Sequence, residues 1–202
     1  LDRDLASLGA RGSSNIVDGI ISLVSGAALV TLGIAFNGSD ANLAMYLYVS
    51  GGAILARAGV ELFIQPNPLD AAVAYAHMPM RDRGEVDQRL AFGEHALENL
   101  ASRFELARIL ESSLSIGSAA ALSLAYYIPK GGFVETDALS WIVLISAGIS
   151  AVTGFATLLT RSDAERRWDA YKEMRRSLAA EDVSVGLGPL PGGAAVTASG
   201  RF

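Results

Sequence analysis

Apolar residues gather in four long runs separated by short polar stretches. Ile16–Phe36 contains one charge, Asp18; Ala41–Ile64 contains Arg57 and Glu61 toward one end; Ile109–Ile128 contains only Glu111; Ala138–Thr160 contains none. Each run is close to the ~20 residues that cross a hydrocarbon core. Water cannot satisfy the backbone there, so such runs must be helical. The pattern therefore predicts an all-α integral membrane protein with four transmembrane helices. The loops between the first and second runs (Asn37–Asp40) and between the third and fourth (Pro129–Asp137) are short, which arranges the helices as two tandem helical hairpins.

Between and after these runs the period changes. Val86, Leu90, Gly93, Leu97, Leu100, Phe104 and Ala107 recur at alternating spacings of four and three, a coiled-coil seam over about three heptads. No breaker separates this seam from the third run, so one helix of about 65 Å is predicted from Gly84 to Ile128. A shorter seam, Ala164, Trp168, Tyr171, Met174 or Arg175, and Leu178, follows the fourth run. The two extensions are expected to pair with each other outside the membrane. Asn67-Pro68-Leu69-Asp70 and Ser162-Asp163-Ala164-Glu165 both read as helix starts: a capping Asn with Pro at the first turn, and a capping box. The last residues, Val183–Phe202, are rich in Gly and Pro, and their alternation suggests a β-hairpin around a Pro-Gly-Gly turn.

The two halves are related. Shifted by 96 residues, Ser146 falls on Ser50, Gly148 on Gly52, Leu158 on Leu62, Ala170 on Ala74, Tyr171 on Tyr75 and Met174 on Met78. The unit is span, loop, span, cap, amphipathic helix. The chain thus divides into an N-terminal segment (1–15), a first hairpin with its amphipathic helix (16–78), an extramembrane heptad helix (79–108), a second hairpin with its helix (109–181) and a tail (182–202). Two copies in the same orientation imply a pseudo-twofold axis along the membrane normal.

Charge then orients the spans. Of the 16 Lys and Arg residues, all but Arg57 and Lys130 lie in the N-terminal stretch, the central loop or the tail. The positive-inside rule puts both termini and the central segment on the cytoplasmic side. The chain opens on Leu1, which implies residues upstream; a cleaved signal peptide among them would invert this orientation. On the central helix, the spacing of Arg89, Gly93, Glu94 and Leu97 is similar to that in uncharacterised bacterial membrane proteins, a resemblance that carries no function. The expected location is a bacterial inner membrane.

Candidate chemistry is sparse. The 202 residues, 51% of them hydrophobic, include no Cys, which excludes disulfides, thiolate metal sites and Cys nucleophiles. His77 and His95 have no second His at ligand spacing, the intramembrane serines have no His partner, and phosphate-loop and dinucleotide patterns are absent. No basic stripe with interleaved aromatics points to nucleic acid. No cofactor or metal is expected. Small residues at spacing four (Ser22 and Gly26; Gly52 and Ala56; Ser146, Ser150 and Gly154) are read as helix-packing faces. Arg57 is the most informative charge, since an intramembrane Arg is costly and needs a partner; Glu61 and Asp18 are the candidates. Val86, Leu90, Leu97, Leu100, Phe104, Trp168 and Tyr171 form the expected extramembrane interaction seam. Membrane lipids and other membrane subunits, or further copies of the chain, are the expected partners. The expected function is a non-catalytic accessory or scaffold subunit of a membrane assembly. A small homo-oligomeric channel or transporter is the alternative, and a lipid-modifying enzyme ranks below it.

Overall fold

A computed structural model of the chain describes every residue except 11–13, 134–136, 182, 191–192 and 201–202. The regular elements of residues 1–181 are all helices: α1 (Asp2–Gly9), α2 (Ser14–Phe36), α3 (Ala41–Gly59) continuing through a π-helical turn (Val60–Ile64), α4 (Pro68–Ala76), α5 (Arg83–Lys130), α6 (Ala138–Leu159) and α7 (Asp163–Glu181). Four of these helical stretches are long and apolar enough to span a membrane. After α7 the backbones of β1 (Val183–Leu190) and β2 (Gly193–Gly200) pair antiparallel, with Val183 opposite Gly200 and Leu190 opposite Gly193. The Pro191-Gly192 part of the expected turn lies outside the described residues.

Local chemistry sets the helix ends. Asp40 accepts from the amides of Asn42 and Leu43, and Asp137 from that of Leu139, so an Asp caps both α3 and α6. Asn67 caps α4 through the Leu69 amide, with Pro68 in the first turn. In α7 the Glu165 amide donates to the Ser162 hydroxyl and the Ser162 amide to the Glu165 carboxylate, a closed capping box. The unbroken 48-residue α5 ends at Gly131, whose φ of 74° supplies the left-handed turn that an L side chain resists.

The apolar helices form a row. α2 packs on α3, α3 on α5 and α5 on α6, and no comparable packing joins α2 to α6. Closest approach falls at glycine. A Cβ on Gly51 would lie 2.9 Å from the Gly26 carbonyl oxygen, and one on Gly26 3.0 Å from the Gly51 oxygen. On the other pair, a Cβ on Gly154 would lie 3.0 Å from the Ser112 oxygen. The buried positions of α3 are Ala44, Leu47, Gly51 and Ala58; those of α6 are Ser140, Val143, Ala147 and Gly154. Every one of the four pairs is separated by 96 residues.

At the polar end the chain closes into a compact base. Leu5 and Leu8 of α1, Tyr75 of α4, Leu97 and Leu100 of α5 and Ala164 of α7 share one core, with Phe104, Trp168 and Tyr171 against it. Each fully buried Leu there contributes about 1.5–3 kcal/mol. The heptad seam is used differently from the expectation. Leu97, Leu100 and Ala107 are buried and Phe104 is half-buried, but Val86 and Leu90 are exposed. Arg89 is buried in their stead, its guanidinium 4.4 Å from the centre of the Tyr75 ring and donating to the Met78 carbonyl and to Asp2. Gly93 makes room, since a Cβ there would lie 2.6 Å from that ring. The seam therefore packs on α1, α4 and α7 together rather than on one coiled-coil partner. The α7 stripe is likewise used at Ala164, Trp168 and Tyr171, while Leu178 is exposed.

Candidate functional site: a polar groove among the apolar helices

Tyr46, Ser50, Arg57, Glu111, Ser115, Ser118, Ser146 and Ser150 meet around a groove of about 250 Å³. α5 forms its floor and α3 and α6 its walls; among the described residues no element covers the remaining side. The site follows from helix periodicity. Tyr46, Ser50, Ala53 and Arg57 lie three or four residues apart on one face of α3, as do Glu111, Ser115 and Ser118 on α5, and Ser146 and Ser150 on α6.

Some of these groups satisfy one another. The Tyr46 hydroxyl and the Ser146 hydroxyl lie 3.2 Å apart and bridge α3 to α6. Ser118 donates to the Ser115 carbonyl at 2.9 Å. The hydroxyls of Ser50, Ser115 and Ser150 have no side-chain hydrogen bond among the described residues. At the end nearer the base, Arg57 Nε donates to Glu61 at 2.8 Å, and Ser22 donates to the other oxygen of Glu61 at 2.8 Å. Glu61 is buried at 7% exposure, whereas Arg57 keeps 54%. Beside them Gln65 donates to Glu111 at 2.6 Å. Arg57 and Glu111 thus line one groove with no ion pair between them, each held by a different neighbour.

The structure distributes the sequence candidates as follows. Arg57 and Glu61 come together on successive turns, and Glu61 sits on the π-helical turn, which alters the facing of that segment. Asp18 lies on the exposed side of α2, and Ser22, one turn on, supplies the contact instead. Gly26 and Gly154 sit at close helix contacts. Gly52 and Ala56 are not close-packed within the chain: both are exposed, and a Cβ on Gly52 would meet nothing within 4 Å. The packing face is one residue round, at Gly51, with Leu55 and Ala58. Spacing four fits either face, and only the direction of approach of α2 chooses between them. Ser146 and Ser150 belong to the groove rather than to a tight helix contact.

A second polar cluster fastens α5 to the α6–α7 corner. Arg108 donates to Glu165 at 2.9 Å and also to the Leu158 carbonyl at the end of α6; its Nε is buried without a partner. Burial pushes the Glu165 carboxyl up, but the Ser162 amide and then Arg108 outweigh it and hold the pKa below its ordinary value. Farther along, the Tyr171 hydroxyl donates to Glu94, which also faces Arg175. Burial and that hydrogen bond push Tyr171 up to about 12. Neither cluster is legible from spacing, because each joins residues more than fifty positions apart. Among the described residues no group of three or more His, Asp or Glu is placed to hold a metal ion.

The fold and the groove define an all-helical protein whose four membrane-length helices carry a polar cleft. No family model, curated protein or solved structure matches the chain.

Proposed function

We propose that this chain is a multi-pass membrane protein serving as a non-catalytic accessory or scaffold subunit of a larger membrane assembly. The observation that carries the reading is the open row of helices. α2 packs on α3 and α6 mainly on α5, with a lesser contact to α3 through Tyr46 and Val49, so most of each span faces outward, including Val17, Ile21 and Val24 on α2 and Ile145, Ile149 and Val152 on α6. A chain that works alone gains stability by closing its bundle; an open row offers two long edges to other helices. Gly52 on α3 and Gly148 on α6, both facing open space, let a neighbouring backbone come close.

The orientation belongs to the same proposal. With the base on the cytoplasmic side of a bacterial inner membrane, the arginines of α5 and α7 stay in water and both termini lie inside. The matching buried positions of α3 and α6 support two tandem hairpins descended from one unit. Purification from the native membrane in mild detergent, followed by native mass spectrometry, tests the function. Stoichiometric foreign subunits are the expected result; a lone homo-oligomer overturns it.

The groove favours a second reading, a small channel or transporter, since unpartnered hydroxyls and a half-exposed Arg among apolar helices are the lining a polar solute needs. On that reading Arg57→Ala changes flux through reconstituted vesicles while leaving the protein folded; unaltered flux counts against it.

A further inference from the structure

We infer that the groove between α3, α5 and α6 binds a zwitterionic headgroup, an anionic phosphate beside a primary ammonium, and that a bilayer phosphoethanolamine lipid supplies it. The inference rests on the membrane reading above.

Three features select the ligand. First, Arg57 spends its Nε on Glu61, which leaves its terminal N–H groups free at the mouth of the groove, and the guanidinium stays half-exposed. A guanidinium with free donors takes a phosphate or carboxylate oxygen. Second, Glu111 lines the same groove, accepts from the Gln65 amide as its one donor among the described residues, and is not ion-paired there. A carboxylate has acceptor sites for several donors. A purely anionic headgroup on Arg57 would meet Glu111 as a like charge, and a quaternary ammonium brings no N–H to it. A primary ammonium two carbons beyond a phosphoester oxygen satisfies both. Third, the unpartnered hydroxyls of Ser50, Ser115 and Ser150 extend the polar lining from this charged end. The volume, about 250 Å³, is below the usual range for a drug-sized ligand and suits a headgroup whose tails remain outside. The open side of the groove, which no element among the described residues covers, admits such a ligand from the bilayer without a gate.

The test uses the intact protein in detergent, exposed to equal amounts of phosphatidylethanolamine, phosphatidylcholine and phosphatidylglycerol and read by native mass spectrometry. The ethanolamine lipid is expected to be retained about tenfold over the other two, the worth of one charge-assisted hydrogen bond. Glu111→Gln, nearly isosteric, is expected to abolish the preference over choline, and Arg57→Met to lower retention of all three. Ser150→Ala, a mild change, is expected to weaken ethanolamine retention in a protein that elutes as wild type. Free O-phosphoethanolamine identifies the source. If it raises the melting temperature in a Glu111-dependent way while no lipid is preferred, the ligand is a soluble zwitterion and the recognition chemistry stands. If it has no effect while the lipid preference holds, the bilayer supplies it. Equal retention of the three lipids with no effect of the free compound overturns the inference, as does a preference that survives Glu111→Gln. Failure of the membrane reading looks different: the protein would then remain monodisperse after the detergent is removed.

Discussion

α3 and α6 bury the same four positions of a shared pattern yet carry different chemistry. Ala44, Leu47, Gly51 and Ala58 match Ser140, Val143, Ala147 and Gly154 residue for residue at an offset of 96, and both helices start from an Asp cap. The positions that differ most lie off this stripe. Arg57 and Glu61, ion-paired on the first, correspond to Thr153 and Thr157 on the second. Packing positions are constrained by a facing backbone, as at Gly51 against Gly26 and Gly154 against Ser112. Arg57 faces the groove and is not so constrained, and the buried Glu61 accepts from both Ser22 and Arg57, so this helix carries charge without losing its partner. The charged pair then breaks the symmetry of the groove. Its Arg and Glu111 lie toward one wall, and Ser146 and Ser150 form the other.

The largest effect should come from filling the glycine contacts. Gly51→Leu and Gly154→Leu are each expected to cost about 3 kcal/mol or more, because the added side chain meets backbone that cannot move aside. Gly52→Leu and Gly148→Leu, a pair 96 apart that faces open space, are expected to cost under about 1 kcal/mol. Unfolding in mixed micelles measures all four; similar losses across the set would refute the distinction between the packed and the outward glycines. If the scaffold reading holds, the outward pair instead weakens recovery of partner subunits.

Next in size is Arg108→Ala, which leaves Glu165 buried without its cation and the end of α6 without its donor, a loss of about 3 kcal/mol. No Arg on the first hairpin plays the corresponding part, so the change should loosen α7 from α5 and leave α4 in place. Hydrogen exchange resolved by segment distinguishes the two, and equal loosening of α4 would refute the asymmetry.

The caps should be closer to equal. Asn67→Ala and Ser162→Ala each remove the side-chain acceptor at a helix start, for about 1 kcal/mol. A much larger loss at Ser162 would indicate that the capping box also positions Glu165 for Arg108.

A further effect is set by pH. Tyr171 titrates near 10 when unfolded and at about 12 in the fold, so its contribution is full below pH 10 and is lost as the pH rises from 10 to 12. A stability profile over that interval should fall in the wild type and flatten in Tyr171→Phe. Persistence of the slope in the variant would assign it to another group.

Patterns one helix long were legible in advance. The four apolar runs, the unbroken α5 and the two capped starts at Asn67 and Ser162 depend on composition, on period and on groups two to four residues apart, and all are determined locally by the sequence. α1 escaped notice because eight residues carry too few repeats to show a period. Facing was decided only by the tertiary structure. The sequence cannot separate Gly51 from Gly52, or a packing serine from a groove serine, because a rotation of 100° per residue leaves both choices compatible with spacing four. The same holds for Arg89, which takes a core position where the period had put Val86 and Leu90, because α1 and α4 bring Tyr75, Met78 and Asp2 to that level. The contacts that define the groove and the base, Gln65 with Glu111, Tyr46 with Ser146 and Arg108 with Glu165, span 46, 100 and 57 positions. Local pattern fixes which residues are helical, and only the approach of distant helices fixes which side chains meet.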